Sequence, residues 1–364
     1  MLRFDRRLLL NVDWILVATA AFIIALSVLS LWSLAPGRGG GVLAWRQLSW
    51  VGVGLVAMLV MVSVDYRHLV RAAPAFYVMG VALLLTVFVL GRTVSGARRW
   101  IHIGPLTFQP SELFKLVFVV VLAWALTAWR TPSSSSRSGV LVTFAILAVP
   151  FVLVVRQPDL GTALVLIPVA IAILVGIGVS LRVLGLLALA GVSAMPLFWF
   201  VLKPYQRDRL LVYLDPFRDP LGTAYNVIQA KIAIGSGQLF GKGPSGATQS
   251  RLAFLPERHT DFIFAVFAEM WGFIGCLVLV AAYGLLVLRG FEIAASAREP
   301  RGRILALGVT AVFATQTLVN LGMVTGLLPV VGIPLPLMSY GGSSMVVSLM
   351  GLGLLLSIRM RQFY

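Results

Sequence analysis

The feature that most constrains this chain is its division into ten long apolar runs, with almost all charge confined to the stretches between them. The runs cover 14–34, 45–64, 74–90, 113–129, 140–155, 160–179, 183–202, 262–288, 304–328 and 337–358. A helix crossing the hydrocarbon core of a bilayer needs about 20 apolar residues, and each run comes near that length. Of 364 residues 59% are hydrophobic and 12% charged, against roughly 25% charged in a soluble domain, which excludes a soluble enzyme. The runs are unbroken rather than alternating, which also excludes a membrane β-barrel. The expected fold class is an all-α integral membrane protein, a single polytopic domain over 1–364 with about ten transmembrane helices.

The net charge of +16 does not point to nucleic acid, because the basic residues are scattered between apolar runs instead of forming one soluble basic face. Anionic lipid headgroups are the expected partners of most of them. With an even number of spans both termini lie on one side. The connections on that side carry fourteen arginines, among them Arg67, Arg71, Arg182, Arg298, Arg301 and Arg303, against six on the short connections opposite. The positive-inside rule therefore places both termini in the cytoplasm. The single cysteine, Cys276, permits neither an intrachain disulfide nor a cysteine metal cluster.

One connection differs from the rest. The stretch 203–261, between the seventh and eighth runs, falls on the outer side and holds eight of the 29 basic residues. Long loops between spans are usually functional or disordered. Here Tyr225, Ile228 and Ile232 at helical spacing and the punctuation of Gly235, Gly237, Gly241 and Gly243 predict an ordered loop. The glycine run does not match a P-loop, since Ser236 stands where its first glycine belongs and Gly243 where a magnesium-ligating hydroxyl belongs. Glycine-rich backbone with Lys231, Lys242, Arg207 and Arg209 would suit a diphosphate outside the membrane; a solvated basic loop facing headgroups is the alternative.

Ionisable groups at membrane depth are costly and so mark candidate sites. Glu112 begins the fourth helix, Asp159 lies between the fifth and sixth, and Asp261 begins the eighth, so three carboxylates from distant segments share the outer membrane level. Glu112 and Lys115 stand three residues apart on one helix face, either as a structural ion pair or as a substrate-binding pair. Asp159 precedes Leu160-Gly161-Thr162 and reads equally as a helix cap or as a wall of the site. Asp261 closes the polar cluster Glu257-Arg258-His259-Thr260 at the mouth of a span. It is an N-cap or, once desolvated, a general base. His259 has no second histidine at ligand spacing, which argues against zinc; a loosely held Mg²⁺ or Mn²⁺ between carboxylates and a substrate diphosphate stays open. Cations, carboxylates and an outer cleft together suit group transfer from a lipid diphosphate.

The motifs are more specific than this chemistry. Arg98-Arg99-Trp100, Gln109-Pro110-Ser111-Glu112-Leu113-Phe114-Lys115, Gln157-Pro158-Asp159-Leu160-Gly161-Thr162 and Pro204-Tyr205-Gln206-Arg207 all occur in order. They are followed by the segment 254–264, then Gly332-Ile333-Pro334-Leu335-Pro336 with Ser339-Tyr340-Gly341-Gly342-Ser343-Ser344. Over nearly the whole chain this resembles the SEDS (shape, elongation, division and sporulation) family, and the short N-terminal segment resembles its RodA-like elongation branch. The resemblance implies a ten-helix peptidoglycan glycosyltransferase of the bacterial inner membrane, polymerising lipid II on the outer face during cell elongation. It implies Asp261 as general base and undecaprenyl diphosphate as leaving group in an inverting transfer. Glu112 and Lys115 would form an ion pair beside the cavity. Arg207, Lys231, Lys242, Arg99, Asp159 and His259 would bind substrate. The implied partners are lipid II, the growing glycan strand and a class B penicillin-binding protein, a single-span transpeptidase. Where many relatives carry acidic residues this chain has Ala253 and Met270, which makes the neighbouring Glu269 a structural hydrogen-bonding group. A lipid II flippase and a non-catalytic scaffold for the transpeptidase are the rival readings.

Overall fold

A computed structural model describes residues 11–34, 40–94, 97–103, 106–128, 136–201, 204–215, 219, 224–251 and 254–362. In chain order the first helices are α1 (Trp14–Ser33), α2 (Gly40–Ser63), a short α3 (Tyr66–Arg71), α4 (Ala73–Leu90), α5 (Pro110–Ala128), α6 (Ser136–Arg156), α7 (Leu160–Gly176) and α8 (Leu181–Val201). The long connection after α8 contains α9 (Pro204–Leu214), α10 (Tyr225–Ser236) and two single turns, α11 (Gly243–Gly246) and α12 (Thr248–Arg251). The chain returns through α13 (Ile263–Ser296), α14 (Pro300–Thr325) and α15 (Gly342–Met360).

Every apolar run thus becomes a helix. Among the described residues eight helices are long and apolar enough to cross a membrane, and two shorter apolar ones, α7 and the start of α8, fill the sixth and seventh runs. Lipid offers the backbone no hydrogen bonds, so each run must satisfy its own amides, and a helix does so locally. Burial then sorts the helices. α5, α14 and α15 are mostly enclosed by protein, whereas α2, α4 and α6 turn most of their surface outward. The enclosed helices pack closely through small residues: Gly308 of α14 lies against Val119 and Ile173, and Gly351 of α15 lies against Val309, Phe313 and Leu116. Capping and ion pairing fasten the helix ends on the side where α1 begins. Asp13 accepts from the Leu16 amide at 2.9 Å and pairs with Arg289 of α13 at 2.6 Å, and Arg67 pairs with Glu299 at 2.9 Å.

The structure departs from the all-helical expectation in two places. Between α4 and α5 lie β1 (Arg92–Val94), β2 (Ala97–Ile103) and β3 (Leu106–Phe108), an antiparallel sheet in the order β1-β2-β3. Its register sets Ile101 opposite Phe108. The second departure is a break within α13, where Gly272 takes φ 64° and ψ −165°.

That break explains the glycine-rich run. The Gln238 carbonyl accepts from the Phe273 amide at 2.8 Å, the Leu239 carbonyl from Ile274 at 3.1 Å, and the Lys242 amide donates to the Glu269 carbonyl at 3.0 Å. Backbone of the outer loop therefore replaces the hydrogen bonds that α13 loses. A Cβ at Gly237 or Gly241 would collide with α13 carbonyls, so these glycines serve close packing. The expected diphosphate cradle is corrected on this point: the run's backbone is engaged with α13. Gly272→Ala should be strongly destabilising, because its φ/ψ lies in a region open essentially to glycine and a Cβ would meet the backbone of Leu239 and Gly241. Gly284→Ala, on the same helix with open space around it, is the control. Thermal unfolding of the two variants in detergent checks this, and equal melting temperatures would refute it.

Candidate active site

Three segments converge at one end of the enclosed helices. The turn at 254–262 leads into α13 and carries Asp261. The connection between α14 and α15 is stitched onto that turn: Ser339 donates to the Thr260 carbonyl at 2.7 Å, and the Tyr340 amide donates to the His259 carbonyl at 2.8 Å. The N-terminus of α7 packs under the same connection, where the missing side chain of Gly161 lets the Val331 carbonyl approach. Gly332 in turn lies beside Asp261; a Cβ there would stand 3.3 Å from Oδ2.

Asp159 is both cap and wall. Its Oδ1 accepts from the Thr162 amide at 3.3 Å, and its Oδ2 accepts from Gln109 at 2.8 Å and Ser111 at 3.0 Å. Arg99 of β2 reaches it at 3.7 Å. The sheet that the sequence reading omits is therefore what delivers Arg99 to the cleft. One turn below, the Lys115 ammonium donates to Glu112 at 2.7 Å, with both side chains almost fully buried. The buried Gln109 also ties this wall to α15, its amide donating to Ser343 at 3.0 Å.

Asp261 is chemically distinct. Among the described residues its carboxylate accepts no hydrogen bond, and although part of the residue reaches solvent, its surroundings are chiefly protein. Burial pushes its pKa up to about 6. The guanidinium groups of Arg99 and Arg209 oppose that rise, and Glu257 and Asp159 reinforce it. Desolvation wins, leaving a carboxylate basic enough to take a proton yet mostly ionised at neutral pH. Burial holds the His259 imidazole below its ordinary value, with Arg258 adding to the effect and Glu257 opposing it. The ring lies against Tyr340 at 5.6 Å.

The other predicted cations have different neighbours. Arg207 reaches back to the Phe200 carbonyl at 3.2 Å and over the Trp199 ring at 5.7 Å. Lys242 stands 3.8 Å from Glu269, while the exposed Lys231 lies beside Gly326 at the end of α14. Arg209, on α9, donates to the Val330 carbonyl at 3.3 Å. The cations that act on Asp261 are therefore Arg99 and Arg209. Glu269 is a structural acceptor: its oxygens receive the Gln249 amide at 3.0 Å, the Ser250 amide at 2.9 Å and the Ser250 hydroxyl at 2.5 Å. Asn320 of α14 was not singled out from the sequence, although a polar residue deep in an apolar run was a usable signal. Among the described residues no three histidine, cysteine or acidic side chains stand close enough to hold a metal ion. Asp159 is already engaged by Gln109, Ser111, the Thr162 amide and Arg99.

The family model described as "Cell cycle protein", for FtsW, RodA and SpoVE, matches residues 7–363. This chain belongs to that family. It is the family to which the motifs pointed, and the chain is a mostly helical, multi-pass membrane member of it. Peptidoglycan glycosyltransferase MrdB of Escherichia coli is 43% identical over 333 residues, 91% of this chain and 89% of that protein. Stage V sporulation protein E of Bacillus subtilis is 35% identical over 96% of both chains. Among solved structures, a peptidoglycan synthase complex that coordinates polymerization and crosslinking contains a chain 37% identical, with a TM-score of 0.80 over 97% of this chain and 98% of its own. The rod shape determining protein RodA of Thermus thermophilus follows at 33% identity and a TM-score of 0.73, over 97% of this chain and 98% of its own.

Proposed function

We propose that this FtsW/RodA/SpoVE-family chain is a peptidoglycan glycosyltransferase that polymerises lipid II at the outer face of the bacterial cytoplasmic membrane. The name of the MrdB relative supports the reaction class. The observation that carries the mechanism is the desolvated carboxylate of Asp261, free of hydrogen bonds among the described residues and flanked by two arginines. The acceptor GlcNAc 4-hydroxyl attacks C1 of the donor MurNAc from the face opposite the diphosphate. The new O–C1 bond forms as the C1–O bond to phosphate breaks, and the configuration inverts. Asp261 takes the hydroxyl proton, and the electron pair leaves with undecaprenyl diphosphate. Arg99 and Arg209 stand where negative charge would grow on that leaving group. Arg207, Lys231 and Lys242, further along the outer loop, serve the diphosphate and the strand before and after transfer, and Asp159 and His259 line the sugar-binding wall.

The arginine-rich connections support a cytoplasmic position for both termini, which would open the site to the outside, where the glycan accumulates. The likeness to a chain from a complex joining polymerization to crosslinking supports a class B penicillin-binding protein as partner. The test is gel-resolved polymerisation of purified lipid II by this chain, with and without that transpeptidase. Long strands are expected, increasing with the partner present. No strands under either condition would sink the enzyme reading and favour a flippase or scaffold.

A further inference from the structure

Resting on that reading, we propose that Asn320 is the positioning residue of Asp261, supported from below by ordered water held between Gln316, Thr317 and the Glu112–Lys115 pair. A carboxylate without a hydrogen bond of its own is aimed by its backbone alone. At Asp261 that backbone is held by Asn320, whose amide nitrogen donates to the Asp261 carbonyl at 2.9 Å and to the Ile333 carbonyl at 2.8 Å. Both amide protons are used, and the two carbonyls belong to different segments, the turn before α13 and the connection between α14 and α15. One side chain therefore fixes the spacing between Asp261 and the connection that carries Gly332.

The other end of Asn320 is unusual. Its Oδ1 is buried without a partner, as are Gln316 Nε2 and Thr317 Oγ1, and all three residues are more than nine-tenths buried. On α14 the hydroxyls of Thr310 and Thr325 bond the carbonyl one turn back, at 2.7 Å to Ala306 and 2.8 Å to Leu321; that of the buried Thr317 does not. The positions 309, 313, 316 and 320 share a helix face. Its lower part meets α15 at Gly351, which also touches Leu116 of α5. Because α5 and α14 run antiparallel, one turn outward from that contact brings Gln316 and Glu112 to the same level. There the Lys115 ammonium, with three protons to donate, has Glu112 as its one hydrogen-bond partner among the described residues. Buried donors and acceptors without a protein partner are what an internal water satisfies.

The test is steady-state polymerisation by the full chain with its transpeptidase, comparing wild type, Asn320→Ser and Asn320→Leu. Misplacing a reacting group by about 1 Å costs on the order of 10²-fold in rate. The expected result is therefore a kcat falling in the order Asn, Ser, Leu, to about one hundredth for Leu, with KM within about threefold. If the Leu variant does not fold, the Ser variant decides. A folded Ser variant with wild-type kcat, or a change confined to KM, overturns the proposal. Wild type that makes no strands would instead sink the function on which it rests.

Discussion

Replacing Asp261 with asparagine is expected to cut strand synthesis by about 10²–10⁴-fold, the usual contribution of a general base, while making the folded protein more heat-stable above pH 6. Both effects have one cause. Burial raises the carboxyl from an ordinary 3.8 to about 6, so holding it ionised costs folding free energy that an amide does not cost. Below pH 3.8 the folded and unfolded states both keep the proton, and the group contributes nothing to the difference. Between 3.8 and 6 the unfolded chain ionises first and the native state loses ground, and above 6 the penalty is constant. The melting-temperature advantage of Asp261→Asn should therefore grow as pH rises from 4 to 6 and then level off. Wild-type kcat/KM should fall about tenfold per pH unit below 6. An asparagine variant that still makes long strands would reduce Asp261 to a helix-entry residue. One that is inactive but less stable at pH 8 would deny the desolvation.

The second large effect concerns Glu112 and Lys115. Lys115→Met alone leaves a carboxylate buried in the enclosed α5 without its cation, and breaking such a pair costs about 3–5 kcal/mol. Replacing both, with Glu112→Gln and Lys115→Met, removes the two charges together and should restore most of the stability, since a buried ion pair and an apolar pair of similar volume are often nearly equivalent. Chemical or thermal unfolding of the single and double variants separates the cases. A single variant as stable as wild type would mean that water reaches the carboxylate freely. The same double variant divides the two roles weighed for this pair. If it is stable and polymerises lipid II, the pair supports the helix; if it is stable and inactive, the pair serves the substrate.

Much of this protein is legible from its sequence because the bilayer leaves the backbone few alternatives. Each unbroken apolar run had to become a helix, and the ten runs did. The ordered outer loop was readable from Tyr225, Ile228 and Ile232, which lie in α10. The small sheet had signals as well, in Thr93 and Val94 before Ser95-Gly96, and in Trp100, Ile101 and Ile103 between Ser95-Gly96 and Gly104-Pro105. Strands of three to seven residues are weak against the helical pattern on either side. Counting spans set Glu112, Asp159 and Asp261 at one membrane level; Asp159 and Asp261 lie close enough to act on each other, with the Glu112–Lys115 pair in the adjoining turn of α5.

What the sequence determined by itself is the solvent this chain lives in, the positions of its apolar helices, its family and the residues at the ends of those helices, all properties of local composition and order. The tertiary structure alone decided which charges meet. Arg99 and Arg209 act on Asp261 while Lys242 turns to Glu269, because a β-strand and a break at Gly272 set side-chain directions that spacing does not encode. It also decided that Asn320, whose polarity in an apolar run marks it without giving it a partner, holds the backbone of Asp261. A hydrogen bond between residues 59 positions apart depends on how α13 and α14 pack, and no local pattern specifies that packing.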